Sequence, residues 1–383
     1  MVDSENAMLK NTVRRFLADR VAPFVSEMER NNSFDRAAFE AAGSLGFIAP
    51  YLPEIYGGAG LDLKSAATVY EEMSRIDAGF AMSVFVSAVL FSRNIFLWGT
   101  EEQRLRYLPP VAVGKKIGCW ALTEPSSGSD AFSIQTVYVK DGDGYRLRGN
   151  KTFITNAPIA DYFLIIARDH DDPGNKKATW FIMERGTEGL TLSKPFDKMG
   201  LCTSPTGEIF LDDVYVPRQQ VLGEEGRGFP MMMQSLDVER CLGSVVSIGI
   251  ASACLDASVL YSQQRSQFGK TISEFQLIKE KLAEMMAGIE LARTYLYHTI
   301  ELIQKGALIN TEAAICKLFA SQVAVRCASE AVQIHGGYGY IKEYPVERYY
   351  RDAKLYEIGG GTNEIQKLII AGKILEKSRA KKA

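Results

Sequence analysis

One carboxylate stands out for its surroundings. The segment Ser235-Leu236-Asp237-Val238-Glu239-Arg240-Cys241-Leu242 reads as helix, and Leu236, Leu242, Gly243 and Val246 place Glu239 on an apolar stripe. A carboxylate short of water becomes a stronger base and can take a proton from a reacting carbon. Burying it unpaired costs several kcal/mol, so an ion pair with an arginine from another helix is the competing reading. Two further carboxylates lie beside loops. Glu124 precedes Pro125, and Glu357 comes three residues before Gly360.

Other segments could hold a polar ligand. Trp120-Ala121-Leu122-Thr123-Glu124-Pro125-Ser126-Ser127-Gly128-Ser129-Asp130 reads as a strand that breaks at proline into a loop of small residues. Backbone N–H groups and hydroxyls there can approach a flat polar ring or a phosphate; an ordinary loop is the alternative. Arg265-Ser266-Gln267-Phe268-Gly269-Lys270, with Gln276 beyond it, offers a guanidinium at the end of a long helix, a geometry suited to a pyrophosphate. Gln333-Ile334-His335-Gly336-Gly337-Tyr338-Gly339 is a helix end, and its glycines alone read as a C-cap. No GxGxxG follows a strand and opens a helix, so a Rossmann-type site is unsupported.

Three blocks of elements must position these residues. Residues 1–118 read as helices: Val13, Phe16, Leu17, Val21 and Phe24 recur at helical spacing, and Thr100-Glu101-Glu102-Gln103 forms a capping box. Residues 119–225 alternate or run apolar over short stretches (144–148, 162–166, 179–182, 208–211), with turns at Asp141–Gly144 and Asp172–Asn175 between them. That pattern predicts a β-barrel or sandwich-like unit. Residues 226–383 return to helical spacing over about 230–265, 273–304 and 311–334, with Asn310 placed to cap the last. The fold class is α+β, a β module between two helical ones.

Composition narrows the function. The chain has 383 residues and a net charge of −2, so the basic footprint of a nucleic-acid binder is missing. Six scattered cysteines without a CxxC pair read as reduced, buried thiols, and no zinc cluster is visible. No run reads as long enough to span a bilayer. Asp3 and Glu5 argue against a signal or transit peptide, and the basic residues of 377–382 read as a solvated end.

Taken together, the motifs resemble the acyl-CoA dehydrogenases, flavoenzymes that desaturate acyl thioesters. Four pieces carry the likeness in family order across roughly residues 5–375: the 120–130 loop, Lys151-Thr152-Phe153-Ile154-Thr155-Asn156, the 265–276 segment, and 333–339 with Arg351-Asp352-Ala353-Lys354 through Gly359-Gly360-Gly361-Thr362-Asn363-Glu364. The resemblance implies a helical N-terminal domain, a β-barrel middle domain and a C-terminal four-helix bundle. It implies FAD, with Leu122, Thr123, Ser129, Phe153 and Thr155 at the flavin. Phe153 stands where the family usually has tryptophan; it keeps stacking area and lacks the indole donor. Arg265, Phe268, Gln276, Gln333, Gly336, Gly337, Thr362 and Glu364 would reach the FAD of a neighbouring chain. That sharing implies a dimer or a homotetramer, with a homotetramer built as a dimer of dimers the expected assembly.

The same resemblance assigns the base. Many members carry a catalytic glutamate where this chain has Gly360. Isovaleryl-CoA and long-chain acyl-CoA dehydrogenases carry theirs on the middle helix, where this chain has Glu239. Desaturation beside a thioester removes an α proton and a β hydride from opposite faces. A carboxylate must therefore face the flavin across the substrate, with donors on the thioester oxygen. Gly360 N–H would be one donor, Gly361 and Ser129 would lie beside the substrate, and Asp237 and Arg240 would meet the CoA adenine end. Phe80–Leu90, expected along the acyl group, holds no Arg or Lys, which favours an apolar acyl group, branched, cyclic or of medium length. The implied partners are an acyl-CoA and an electron-transfer flavoprotein, with a cytoplasmic (bacterial) or mitochondrial-matrix location. A prolyl thioester on a carrier protein and an oxidase remain alternatives.

Overall fold

The computed structural model describes residues 2–172, 174 and 176–380. The expected turn at Asp172–Asn175 falls partly on Pro173 and Asn175, and the basic tail partly on Lys381 and Lys382. All four lie outside the described residues.

The N-terminal helices are α1 (Val2–Arg20), α2 (Val25–Asn31), α3 (Arg36–Ser44), α4 (Leu63–Ile76), α5 (Ala78–Phe85), α6 (Arg93–Trp98) and α7 (Glu101–Ala112). A π-helical stretch, Val86–Ser92, joins α5 to α6. The capping box on α7 forms as expected, with Thr100 Oγ1 accepting from Gln103 N–H while Gln103 Oε1 accepts from Thr100 N–H.

The middle strands are β1 (Gly118–Ala121), β2 (Val137–Asp141), β3 (Gly144–Thr155), β4 (Tyr162–Asp169), β5 (Ala178–Glu184), β6 (Leu190–Leu192), β7 (Thr206–Pro217) and β8 (Val221–Leu222). They form one eight-stranded mixed sheet in the order β6-β7-β3-β2-β4-β5-β8, with β1 parallel beside β4. Asp141–Gly144 makes the tight β2–β3 hairpin. The centre of β4 and nearly all of β5 are buried, which explains their unbroken apolar runs.

The C-terminal part contains α8 (Gly228–Gln264), a small β9 (Ser266–Gln267) and β10 (Lys270–Thr271) hairpin, α9 (Gln276–Gln304), α10 (Asn310–His335), α11 (Val346–Leu355) and α12 (Asn363–Ala380). Helix α10 packs against α8, α9, α11 and α12, and α4 also lies on α8. All six cysteines are free and buried.

Two expectations change. Asn310 is not the cap of α10; that position falls to Ile309, and the Asn310 amide instead donates to Asp237 on α8. The bilayer reading also needs correction. Ala78–Trp98 and Gly228–Gln264 are long and apolar enough to cross a membrane. Both are mostly covered inside the fold, as expected of core helices that are apolar on every side.

Candidate functional site

Helix α8 carries Glu239 to the loop between α11 and α12. Gly360 in that loop has φ +67°, a left-handed backbone that glycine adopts without strain. Its α carbon faces the Glu239 carboxylate: a Cβ added there would lie 2.9 Å from both Oε1 and Oε2. Glu239 keeps partial exposure, yet its Oε2 is shut off from solvent and has no hydrogen-bond partner among the described residues. Burial raises its pKa, and the charges of Arg240 and Lys317 only partly oppose that rise. The competing picture of Glu239 in an ion pair does not hold among the described residues. Tyr356, buried beside this carboxylate, brings its hydroxyl to 3.9 Å from Met82 Sδ on α5.

The loop around Gly360 is held from several directions. Arg240 Nε donates to Gly360 O at 3.1 Å, and Gln366 Nε2 donates to Gly361 O at 2.8 Å. Asn363 N–H donates to Glu357 O, while Asn363 Oδ1 accepts from Lys317 Nζ at 2.9 Å and Ser321 Oγ at 3.0 Å. Arg240 is 5% exposed and also pairs with Asp237 at 3.1 Å. Arg240, expected near a CoA adenine, turns its guanidinium inward to Gly360 O and Asp237. Burial raises the Asp237 pKa despite that pair. Glu357, one of the other carboxylates, pairs with Lys354 on the surface.

The second group of residues surrounds the start of the sheet. Thr152 N–H donates to Thr123 O at 2.9 Å, which sets the 122–123 and 152–155 segments side by side. A register shift in the β3–β7 ladder falls between Lys151 and Ile154. At this bulge Phe153 adopts φ +56° and stays 69% exposed. A bulky residue pays about 1–2 kcal/mol for that backbone, and strain of this kind collects at ligand sites. The exposed ring and the adjacent Leu122, Thr123 and Thr155 fit a flat aromatic cofactor. Ser129 is exposed on the same loop.

Glu124, the remaining carboxylate, is structural. Lys151 Nζ donates to Glu124 Oε1 at 2.7 Å and to Leu122 O at 3.1 Å, and Glu124 also accepts from the N–H groups of Gln135 and Thr136. Burial pulls Lys151 down to about 8. Burial alone would raise Glu124, but Lys151 and the hydrogen bonds prevail and hold it below the usual carboxylate value. Both directions leave the pair ionised at neutral pH. Asn156, fully buried, donates to Ser83 O, Ser87 Oγ and Gly118 O, binding β3 to the α5 region. Sequence reasoning singled out neither Lys151 nor Asn156 individually, although both sit in the 151–156 motif.

The third group forms a cleft of about 470 Å³ lined by Tyr261, Arg265, Gln267, His335, Gly336 and Gly337 with neighbouring apolar residues. A Cβ on Gly336 or Gly337 would meet nothing, so the turn leaves open space. Arg265 lies over the Tyr338 ring at 5.6 Å. His335 stacks on Tyr261 at 4.2 Å, and burial lowers its pKa, so it is neutral. Phe268 is 93% exposed at φ +54°; Gln276, eight residues on, and Gln333, two residues before His335, are exposed as well. Thr362 accepts from Ile365 N–H at the start of α12, and Glu364 is exposed beside it. None of Leu122, Thr123, Phe153 or Thr155 lines this cleft. Among the described residues no group of His, Cys, Asp and Glu is set to hold a metal.

On the expected acyl side, Gly243 of α8 approaches Phe85; a Cβ added to this glycine would lie 3.6 Å from the ring. The first cation after the Phe80–Leu90 stretch is Arg93 at the start of α6, partly buried beside Tyr51, whose hydroxyl donates to Ala88 O.

Comparison with known proteins agrees along the whole chain. Three family models match: the N-terminal domain of acyl-CoA dehydrogenase over residues 3–115, the middle domain over 119–214 and the C-terminal domain over 226–375. The chain is 43% identical over 360 residues to the short-chain-specific acyl-CoA dehydrogenase of Megasphaera elsdenii, covering 93% of this chain and 94% of that one. It is 38% identical over 376 residues to the caffeyl-CoA reductase–Etf complex subunit CarC of Acetobacterium woodii, covering 97% and 99%. The structure of butyryl-CoA dehydrogenase from Megasphaera elsdenii superposes with a TM-score of 0.94 at 41% identity, covering 97% and 98%.

Proposed function

The chain belongs to the acyl-CoA dehydrogenase family, is an oxidoreductase and uses FAD, and we propose that it desaturates an apolar acyl-CoA with Glu239 as the base. One observation carries this reading: the carboxylate of Glu239 occupies the space over Gly360 that a side chain from the loop would otherwise take. FAD, when bound, supplies the acceptor for the β hydride. Glu239, with no ion-pair partner among the described residues and its Oε2 shut off from solvent, takes the α proton. Its raised pKa makes it a stronger base than a solvated carboxylate. The Gly360 N–H donates to the thioester oxygen, where charge develops as the proton leaves. Arg240 and Gln366 keep that N–H in place through the Gly360 and Gly361 carbonyls.

Leu122, Thr123, Phe153 and Thr155, with Ser129, hold the flavin end of one FAD. Arg265, Phe268, Gln276, Gln333, Gly336, Gly337, Thr362 and Glu364 hold part of the FAD of a second copy of the chain. Arg265, Gly336 and Gly337 line a cleft that none of the flavin residues lines, and large exposed apolar side chains such as Phe268 suit an interface. This sharing requires at least a dimer, and a homotetramer built as a dimer of dimers is the proposed assembly. Electrons pass to an electron-transfer flavoprotein, a partnership that the name of the Acetobacterium relative carries. The acyl group is branched, cyclic or of medium length.

The test is anaerobic mixing of the holoenzyme with linear, branched, cyclic, aromatic and ω-carboxyl acyl-CoAs while flavin absorbance is followed. Apolar groups should bleach it, and electron-transfer flavoprotein should restore the colour. Failure of every thioester to bleach it would end the dehydrogenase reading. Fastest bleaching by an ω-carboxyl substrate would overturn the apolar choice and direct attention to Arg93. Rapid peroxide formation in air would favour an oxidase.

A further inference from the structure

Lys317 is a buried cation that the reaction described above does not use. It lies on α10 at 5% exposure, and its ammonium donates to a neutral group, the Asn363 side-chain oxygen. A lone ammonium in such a place is costly, and a methionine of similar length would fill the space without that cost. The hydrogen bond shows what the lysine holds. Asn363 opens α12 and donates its backbone N–H to Glu357 O, so the Asn363 amide closes the loop that contains Gly359, Gly360 and Gly361. Glu239 faces this same loop from α8.

We propose that Lys317 is a positioning residue for the reaction: it pins the Gly359–Gly361 loop through Asn363 and places a fixed positive charge behind the Glu239 carboxylate. This rests on Glu239 being the base. The charged and titratable groups around the carboxylate are few. Arg240 and Asp237 come from its own helix, Lys317 from α10, and Tyr356 and Glu357 from the turn after α11; Glu364 at the start of α12 acts on Lys317. Arg240 is already committed to Asp237 and Gly360 O. Among the described residues Lys317 has no carboxylate at hydrogen-bond distance, so its charge is free to act on Glu239. The coupling is reciprocal: ionised Glu239 steadies the ammonium, and the ammonium steadies ionised Glu239. Burial takes Lys317 down to about 8, still charged at neutral pH, with Glu239 the foremost group opposing the fall.

The sign of the consequence is fixed. The ammonium lowers the pKa of Glu239 relative to burial alone. Removing it raises that pKa further, and the fraction of enzyme with an ionised base falls at neutral pH. The acid limb of the bleaching-rate profile in Lys317→Met should move upward by about one pH unit or more, a roughly tenfold loss at a pH on that limb. The rate should then climb as pH rises, to a plateau below wild type because the Gly359–Gly361 loop has lost its bond through Asn363. Lys317→Arg, which keeps the charge, should keep the limb near its wild-type position. Asn363→Asp, which neutralises Lys317 with an adjacent anion, should shift the limb the same way as Lys317→Met. It also keeps the test available if the methionine variant does not fold. The measurement is the anaerobic bleaching rate of holoenzyme from pH 5 to 9, with flavin content recorded for each variant. A rate lowered equally at every pH in both Lys317→Met and Asn363→Asp, or an unmoved acid limb, would overturn the proposal and leave Lys317 a packing residue. Full bleaching by Glu239→Gln would instead remove the base assignment itself.

Discussion

Gly360→Ala should separate reaction geometry from fold stability. The added methyl carbon would sit 2.9 Å from both oxygens of Glu239, closer than side chains tolerate. Those oxygens end a flexible side chain, so the carboxylate gives way and the fold survives. The stability loss should be that of a non-glycine residue at φ +67°, about 1–2 kcal/mol. The carboxylate must retreat by roughly 0.5–1 Å to reach an ordinary contact, and a misplacement of about 1 Å costs about a hundredfold in rate. Stopped-flow bleaching should therefore slow by roughly 10- to 100-fold. Gly306→Ala provides the control. Gly306, in the turn between α9 and α10, has φ +74°, and a Cβ added there would meet no atom within 4 Å. It should lose similar stability with an unchanged bleaching rate. If Gly360→Ala bleaches as fast as Gly306→Ala, the carboxylate over residue 360 is not the reacting group.

Two further outcomes follow from the buried charges. Lys151→Met strands Glu124 in the protein, a loss of about 3–5 kcal/mol typical of breaking a buried pair. Because Lys151 also holds Leu122 O, the purified variant should lose flavin, measured by the ratio of absorbance at the flavin band to that of protein. Retained flavin with unchanged thermal stability would contradict that role. Asp352, pushed up to about 7 by burial and accepting from Leu201 N–H, sets a pH dependence of stability. Its folded pKa exceeds its ordinary 3.8, so its contribution is present below about pH 4 and lost as pH rises through about 7. Asp352→Asn should flatten the fall in Tm between pH 5 and 7; an unaltered slope would assign it to other groups.

What was legible in the sequence was mostly local. The capping box at Thr100 needs only residues three apart, and the apolar stripe around Glu239 is visible within two helical turns. The glycine run at 359–361 marked a loop free of a side chain, and the structure brings Glu239 to it. What sequence left unseen depends on distant partners. Lys151 meets Glu124 27 residues away, Lys317 meets Asn363 46 away, and Asn156 meets Ser83 73 away. No spacing rule predicts such pairs. Asn310 looked like a helix cap because its type suits that position, but Asp237 across the bundle claims its amide. Arg240 is placed at a CoA adenine end by resemblance alone, and its link to Gly360 O spans 120 residues, beyond any local spacing. The apolarity of 78–98 and 228–264 shows burial by the rest of the fold, which no window on either segment contains.

The most direct test is the Glu239→Gln holoenzyme, mixed without oxygen with the best substrate from the acyl-CoA panel. The glutamine keeps the shape beside Gly360 and cannot take the proton. Retained FAD with bleaching slowed by at least about a thousandfold is the predicted result; FAD-loaded enzyme that bleaches at the wild-type rate would contradict the account.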